Sequence, residues 1–316
     1  MKTVKKAIAF GKLILFGEHS AVYGFPACGT TLPYSMEIKI CNTTKKRKNK
    51  LNPDDYAIVS ELIDTAFKVT GNTNNLLPDS SGFSVIDITS NIPVSSGFGS
   101  SAALCVSVAR LVLNKPAAVY SKDVHELANI LEKNFHGTPS GIDTGMSCGS
   151  GITAWFFSDG PGILPEMKTL NLKEKIYLLY GALPRRKSAY SSIAEIRKKK
   201  RKNLISELGT ISKEFILHAE NPDPEKYAKK TGILAREAQK ILKTMDLSVP
   251  ELDYILETAG NLGATGGKLS GAGMGGAFYI CAENKDNRNY LLNRLTEKIK
   301  EKNIKLTLSL TSLDIE

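Results

Sequence analysis

Asn91-Ile92-Pro93-Val94-Ser95-Ser96-Gly97-Phe98-Gly99-Ser100-Ser101-Ala102-Ala103 is the stretch on which the fold turns. Upstream, Phe83 to Ile88 alternates like a strand. Downstream, Ala102 to Leu113 is apolar along its length and reads as a largely buried helix. A strand that passes through small residues into a helix can close its backbone around a phosphate, because the first N–H groups of the helix are unpaired and its dipole favours an anion. The serine hydroxyls can reach phosphate oxygens or a hard cation. The stretch lacks the Gly-Lys-Ser/Thr ending of a Walker loop and the GxGxxG spacing of a dinucleotide fold. Taken alone it serves equally as an ordinary helix entry with serine caps.

Two further clusters flank it in sequence. Lys268-Leu269-Ser270-Gly271-Ala272-Gly273-Met274-Gly275-Gly276 runs into the apolar strand Ala277 to Cys281. Its glycines permit a ligand or another backbone to approach closely, or simply make a tight loop. Near the start, Gly11-Lys12-Leu13-Ile14-Leu15-Phe16-Gly17-Glu18-His19-Ser20-Ala21-Val22-Tyr23-Gly24 places a cation inside an otherwise apolar strand. Burying Lys12 without a partner or ligand would be costly, so it calls for one; the alternative is a lysine that snorkels from a strand edge.

Periodicity supplies mixed α and β elements. Ala7 to Phe16 reads as a buried strand and Asp54 to Val69 as a helix with Tyr56, Val59, Leu62, Ile63 and Phe67 on one face. Ser121 to Phe135 is a helix with Ser121 or Asp123 as cap, and Ile152 to Phe157 a strand before the turn Asp159-Gly160-Pro161-Gly162. A second series follows: strand Ile176 to Leu183, helices Ser191 to Arg201, Leu204 to Ala219 and Asp223 to Thr244, strand Ala277 to Cys281, helix Asn287 to Lys302 and a strand near Ile304 to Leu310. The expected division is 1–170 and 171–316. His125 and His218 read as surface residues of helices, and Cys105 as a packed small hydrophobe.

Composition narrows the function classes. The 316 residues are 42% hydrophobic and 23% charged, ordinary for a globular chain with a sizeable core. No apolar stretch approaches the roughly 20 residues of a membrane span. The five cysteines form no CxxC pair and there are four histidines, which argues against a zinc or His-rich metal centre and for a reducing, cytoplasmic setting. The net charge of +10 is concentrated in Lys45 to Lys50 and Arg197 to Lys202. Neither run has interleaved aromatics or a nucleic-acid motif, so both are expected to be solvated surface, with no nucleic-acid partner.

Taken together, the three clusters resemble the GHMP kinase superfamily of small-molecule kinases, whose three hallmark motifs occur in this order. The resemblance covers nearly the whole chain. Gly17-Glu18-His19-Ser20-Ala21-Val22-Tyr23-Gly24 is similar to the branch that phosphorylates mevalonate rather than the one that phosphorylates galactose. His136-Gly137-Thr138-Pro139-Ser140-Gly141-Ile142-Asp143, with Glu132 before it, and Arg186-Lys187-Ser188 resemble further motifs of that branch. Ser95 stands where the family usually has glycine, Phe98 where it has leucine, and Phe10 where it has proline.

The resemblance implies an α+β chain of two domains, an N-terminal one like the ribosomal protein S5 domain 2 fold and a ferredoxin-like C-terminal one. It implies ATP and Mg²⁺ as cofactors and a small-molecule acceptor, mevalonate. Asp143 would be the catalytic base with Lys12 beside it, and Ser101 and Glu132 would hold Mg²⁺. Pro93, Ser95, Ser96, Gly97, Gly99, Ser100 and Ser101 would cradle the nucleotide. Glu18, His19, Ser188, Gly271 and Ala272 would meet the acceptor. Phosphomevalonate or homoserine as acceptor, or a catalytically silent metabolite sensor, fit the same fold; no membrane partner is expected, and the sequence leaves room for a homodimer.

Overall fold

The computed structural model describes residues 4–43, 51–71, 83–116, 118–149, 151–158, 163–185, 202–220 and 227–316. Ser188, the basic residues 45–50 and 197–201, the predicted helix 191–201, and the predicted cap Asp223 lie outside the described residues. By contacts the chain forms two compact units. One comprises Met1–Lys12, Thr31–Ile92 and Gly99–Ser150, the other Leu13–Thr30, Pro93–Phe98 and Gly151–Glu316.

The first sheet is built on two long strands, β1 (Val4–Phe16) and β2 (Ala27–Thr43), each with residues in both units. Its order is β1-β2-β4-β5, with β3 (Phe83–Ser90) paired to β2. The short strands are β4 (Ile152–Phe156) and β5 (Glu166–Thr169). Along β2, Met36, Ile38 and Ile40 are buried while Glu37 and Lys39 face outward, the period of two that one covered face demands. The sequence reading missed β2 because Pro33 interrupts it, and proline demotes a run as a central strand.

Among the described residues four helices belong to the first unit. α1 (Pro53–Thr70) starts one residue before its expected position because Asn52 caps it, its side chain accepting the Asp55 N–H, with Pro53 in the first turn. α2 (Ser100–Val112) is buried almost throughout, and Cys105 packs inside it as expected. α3 (Lys122–Glu132) buries Val124, Leu127, Ala128 and Leu131. α4 (Ile142–Cys148) is a short helix entered through Gly141 at φ 82°. Arg110 is wholly buried on α2 and donates to the carbonyls of Ile8, Val119 and Cys148, tying strand, loop and α4 together.

In the second unit, β6 (Ile176–Leu183) is flanked by β8 (Gly276–Ala282) and β9 (Leu308–Ile315), with β7 (Gly266–Leu269) on the far side of β8; every pairing is antiparallel. The helices are α5 (Lys202–Glu220), α6 (Tyr227–Thr244), α7 (Pro250–Asn261) and α8 (Lys285–Glu301). The last strand begins later than the sequence implied. After α8 the chain turns through Asn303 at φ 54°, with the Ile304 N–H returning to the Ile299 carbonyl, so residues 304–306 are spent leaving the helix. α7, β5 and β7 were not anticipated. No described helix is long and apolar enough to cross a membrane.

Both histidines expected at the surface are buried. His218 packs on Tyr227 and bonds its carbonyl at 3.2 Å. His125 is fully buried in α3 and bonds the Gly141 carbonyl. In each case the helix turns that position inward.

α6 lies directly on β7, and glycines make this possible. A Cβ on Gly232 would fall inside Thr265, and one on Gly266 inside Gly232. Alanine normally improves a helix interior by about 0.5–1 kcal/mol, but overpacking costs about 1–3 kcal/mol. Gly232→Ala is therefore expected to lower Tm by several degrees in thermal unfolding; an unchanged or raised Tm would show that α6 lifts off β7 without cost.

Candidate active site

In the first unit, Lys12 on β1 is buried and its ammonium lies 2.9 Å from Asp143 in the first turn of α4. The two ends of this pair differ. The Lys12 side chain is 4% exposed and that of Asp143 is 42% exposed, so the lysine is locked and the carboxylate is reachable. Gly99 makes room for this arrangement: a Cβ there would stand 2.9 Å from Cγ of Lys12.

One helix face away, Ser101 on α2 donates to Glu132 Oε1 on α3 at 2.8 Å, and His136 Nε2 lies 3.4 Å from the same oxygen. Glu132 is buried, and burial pushes its carboxyl up to about 7. The negative charge of Asp143 adds to that rise, while the Ser101 hydrogen bond and the Lys12 charge oppose it. Among the described residues no hydrogen-bond partner meets the second oxygen, Oε2, which is buried. A hydroxyl and a carboxylate with one bare oxygen suit a hard divalent cation that keeps most of its waters, as Mg²⁺ does. Among the described residues no cluster of three or more His, Cys, Asp or Glu forms a closed metal cage.

The loop from Pro93 to Ser101 has positive φ at Ser95 (58°), Gly97 (94°) and Gly99 (79°), and Gly99 is the cap of α2. Ser96 Oγ bonds the Pro93 carbonyl at 2.5 Å, so this hydroxyl braces the loop from within. No side chain caps α2, which leaves the N–H groups of its first turn for an anion. Ser95 occupies a left-handed backbone, which explains why glycine suits this position; the strain of a serine there is about 1 kcal/mol and partly offset by its lower unfolded-state entropy.

In the second unit, the chain after β1 makes a three-residue turn. The Ser20 N–H donates to the Glu18 carbonyl at 2.8 Å, with His19 at the apex at φ 64°. Such turns are rare and cost about 1–3 kcal/mol unless their surroundings hold them. The support is Lys268 on β7, which is wholly buried, ion-paired to Glu18 and bonded to the carbonyls of Leu15 and Leu269. Ser270 Oγ and Tyr279 Oη fasten the carbonyls of Ile14 and Leu15. His19 is pushed down to about 4, first by burial and then by the Lys268 charge, while a backbone hydrogen bond at Gly271 works the other way. Its Nε2 is buried without a hydrogen-bond partner among the described residues. Gly271, at φ 80°, has open space on its Cβ side, and Ala272 is buried beside it.

The structure thus joins Lys12 to Asp143, Ser101 to Glu132, and Glu18 with His19 to the start of the glycine-rich loop. Lys268 was passed over in the sequence because it stands among glycines and serine rather than inside an apolar run, so no local pattern marked it as buried.

Comparison with known proteins gives a consistent result. Residues 59–151 match the GHMP kinases N terminal domain and residues 227–301 the GHMP kinases C terminal domain. The mevalonate kinase of Methanocaldococcus jannaschii is 28% identical over 312 residues, covering 91% of this chain and 94% of that protein. The crystal structure of Leishmania major mevalonate kinase in complex with R-mevalonate superposes with a TM-score of 0.78 at 22% identity, covering 100% and 97% of the two chains. Streptococcus pneumoniae phosphomevalonate kinase with phosphomevalonate and AMPPNP gives 0.76 at 16% identity, covering 98% and 100%.

The raised Glu132 carboxyl makes stability depend on pH in a defined direction. Moving from the ordinary 4.5 to about 7 corresponds to about 3 kcal/mol of tighter proton binding by the folded state. That contribution is fully present below about pH 4.5 and is lost as pH rises through about 7. Glu132→Gln does not titrate. In metal-free buffer its Tm relative to the parent protein should therefore become more favourable from about pH 5 to about pH 8. A pH-independent difference would mean that Glu132 ionises normally.

Proposed function

The chain belongs to the GHMP kinase family, and from that membership we propose that it transfers the γ-phosphoryl group of ATP to the 5-hydroxyl of mevalonate. The observation that carries the reading is the Lys12–Asp143 pair, a buried cation against a reachable carboxylate. Phosphoryl transfer needs positioning and charge stabilisation more than covalent chemistry. Asp143 accepts the proton of the attacking hydroxyl as that oxygen bonds to the γ-phosphorus and the bond from that phosphorus to the bridging oxygen breaks, releasing ADP. Lys12 pairs with the carboxylate and offers positive charge where the transferring group develops negative charge.

The N–H groups from Ser95 to Ser101, at the entry to α2, receive the nucleotide phosphates. Pro93, Ser96 and Gly97 shape that loop, and Ser100 and Ser101 open the helix. Ser101 and Glu132 would hold Mg²⁺, which would supply charge neutralisation on the phosphates. On the acceptor side, neutral His19 accepts a hydrogen bond from a substrate hydroxyl at Nε2. Glu18 acts by fixing the turn that presents this ring, Gly271 and Ala272 leave space for the acceptor, and Ser188 completes its contacts. The matched family regions fall within 1–170 and 171–316, which supports those as the two domains. We place the enzyme in the cytoplasm, as a monomer or homodimer with small-molecule partners only.

The direct test is ATP consumption against mevalonate, phosphomevalonate, homoserine and galactose. Mevalonate should be turned over with the highest kcat/KM; a faster reaction with another acceptor would reassign the substrate and leave the family intact. Asp143→Asn should lower kcat by at least about 10²-fold, the low end for a positioned base, with ATP binding little changed. Lys12→Met should also lose kcat, and the double variant should lose much less than the product of the singles, because residues acting as one unit are non-additive. Near-native kcat in Asp143→Asn would remove Asp143 from the chemistry.

A further inference from the structure

We propose that His125 is a positioning residue for Asp143, acting through the Gly141 carbonyl, and that Tyr120 fixes the tautomer it needs. The inference rests on Asp143 being the base, and its test is chosen to tell the two apart.

His125 Nε2 lies 2.6 Å from the Gly141 carbonyl, and Nδ1 lies 3.2 Å from the Tyr120 hydroxyl. A carbonyl can only accept, so the proton must sit on Nε2. In a neutral ring Nδ1 then carries the lone pair and accepts from Tyr120. The ring is neutral near neutral pH because burial pushes it down to about 4, against the opposing pull of the Gly141 carbonyl. The network is thus consistent at every atom, with one donor and one acceptor on each contact. Tyr120 also stands edge-on to the ring, at 5.8 Å between centroids, which limits its rotation.

Gly141 is the residue that launches α4, and its carbonyl also takes the Gly145 N–H at 2.9 Å and the Thr144 hydroxyl at 3.3 Å. α4 has seven residues, too few to be stable as an isolated helix, so contacts with its neighbours set where its first turn points. Asp143 lies in that turn and its side chain is substantially exposed, held on the protein side by Lys12. His125 therefore supplies an anchor from α3 one peptide away from the segment carrying the base. On the same α3 face, two turns further on, sits Glu132. One helix thereby sets both the cation ligand and the base. Ordinary packing would need an apolar residue at 125 and no tyrosine hydroxyl aimed at its ring.

The test uses the full-length protein and the acceptor that it turns over best. Nitrogen-15 spectra of the imidazoles should show His125 protonated on Nε2 and bare on Nδ1. His125→Leu keeps bulk but loses the donor; kcat should fall by about 10-fold or more with KM for ATP nearly unchanged, since small misplacement of a reacting group is costly. His125→Gln can place an N–H near the Nε2 position and should recover kcat to within about 3-fold of the parent. Tyr120→Phe should shift the tautomer signal and lower kcat less than His125→Leu. If His125→Leu does not fold, the comparison of His125→Gln with Tyr120→Phe decides. A folded His125→Leu with native kcat, or an Nδ1-protonated ring, overturns the proposal. If Asp143→Asn is inactive while His125→Leu is native, only the positioning role fails; if Asp143→Asn is active, the base assignment fails first.

Discussion

A lysine ammonium inside a strand is the constraint on which the first unit depends. Lys12 is held in the apolar interior of β1, where an isolated charge would be expensive, so a carboxylate must be delivered to it. Asp143 meets that demand from a short helix that has no stability of its own. Gly99 must lack a side chain so that the lysine stem can pass beside it. Arg110 and His125 then hold the segments on either side of α4 through backbone carbonyls. Each of these features is explicable by the need to bring one anion to one buried cation, and each would be arbitrary without it.

The second unit solves a similar problem differently. Lys268 is as deeply buried as Lys12 and is also satisfied by one carboxylate, yet its partner Glu18 is closed off at 3% exposure where Asp143 is 42% exposed. A carboxylate that is sealed and surrounded by further acceptors braces structure; one that keeps an open face can exchange a proton with a ligand. The Lys268–Glu18 pair sustains the strained turn at His19, where the backbone is unfavourable and Nε2 lacks a partner. The same pair of side-chain types thus yields a scaffold in one place and a candidate reaction centre in the other, with exposure as the deciding variable.

Much of this was legible in the sequence, for reasons that can be named. The Lys12 cation in an apolar run, the small-residue entry to α2, and the spacing of Val59, Leu62 and Ile63 are local signals, and local signals survive folding. β2 was hidden by Pro33, and β7 is too short and glycine-rich to show a period. His125 was misread because a polar residue on a helix is outward by default. Its spacing to Ala128 and Glu132 already placed it on the inward face with Leu131 nearby. What no local pattern could supply is that this ring finds Gly141, a contact between segments whose approach is set by the tertiary fold.

The acceptor is the least determined part of the reading by fold alone, and the physical reason is plain. A mevalonate kinase and a phosphomevalonate kinase overlay this chain almost equally well, so one fold is shared by enzymes with different acceptors. Discrimination then lies in a few side chains. Phosphomevalonate attacks through a phosphate oxygen and so needs cations around its reacting end, whereas mevalonate attacks through a hydroxyl, which needs a hydrogen-bond acceptor and a base. The apex at His19 offers such an atom, held neutral by burial, with the nearby Lys268 charge already matched by Glu18. With that pair balanced and the ring neutral, the apex suits a hydroxyl rather than an added phosphate as its hydrogen-bond partner.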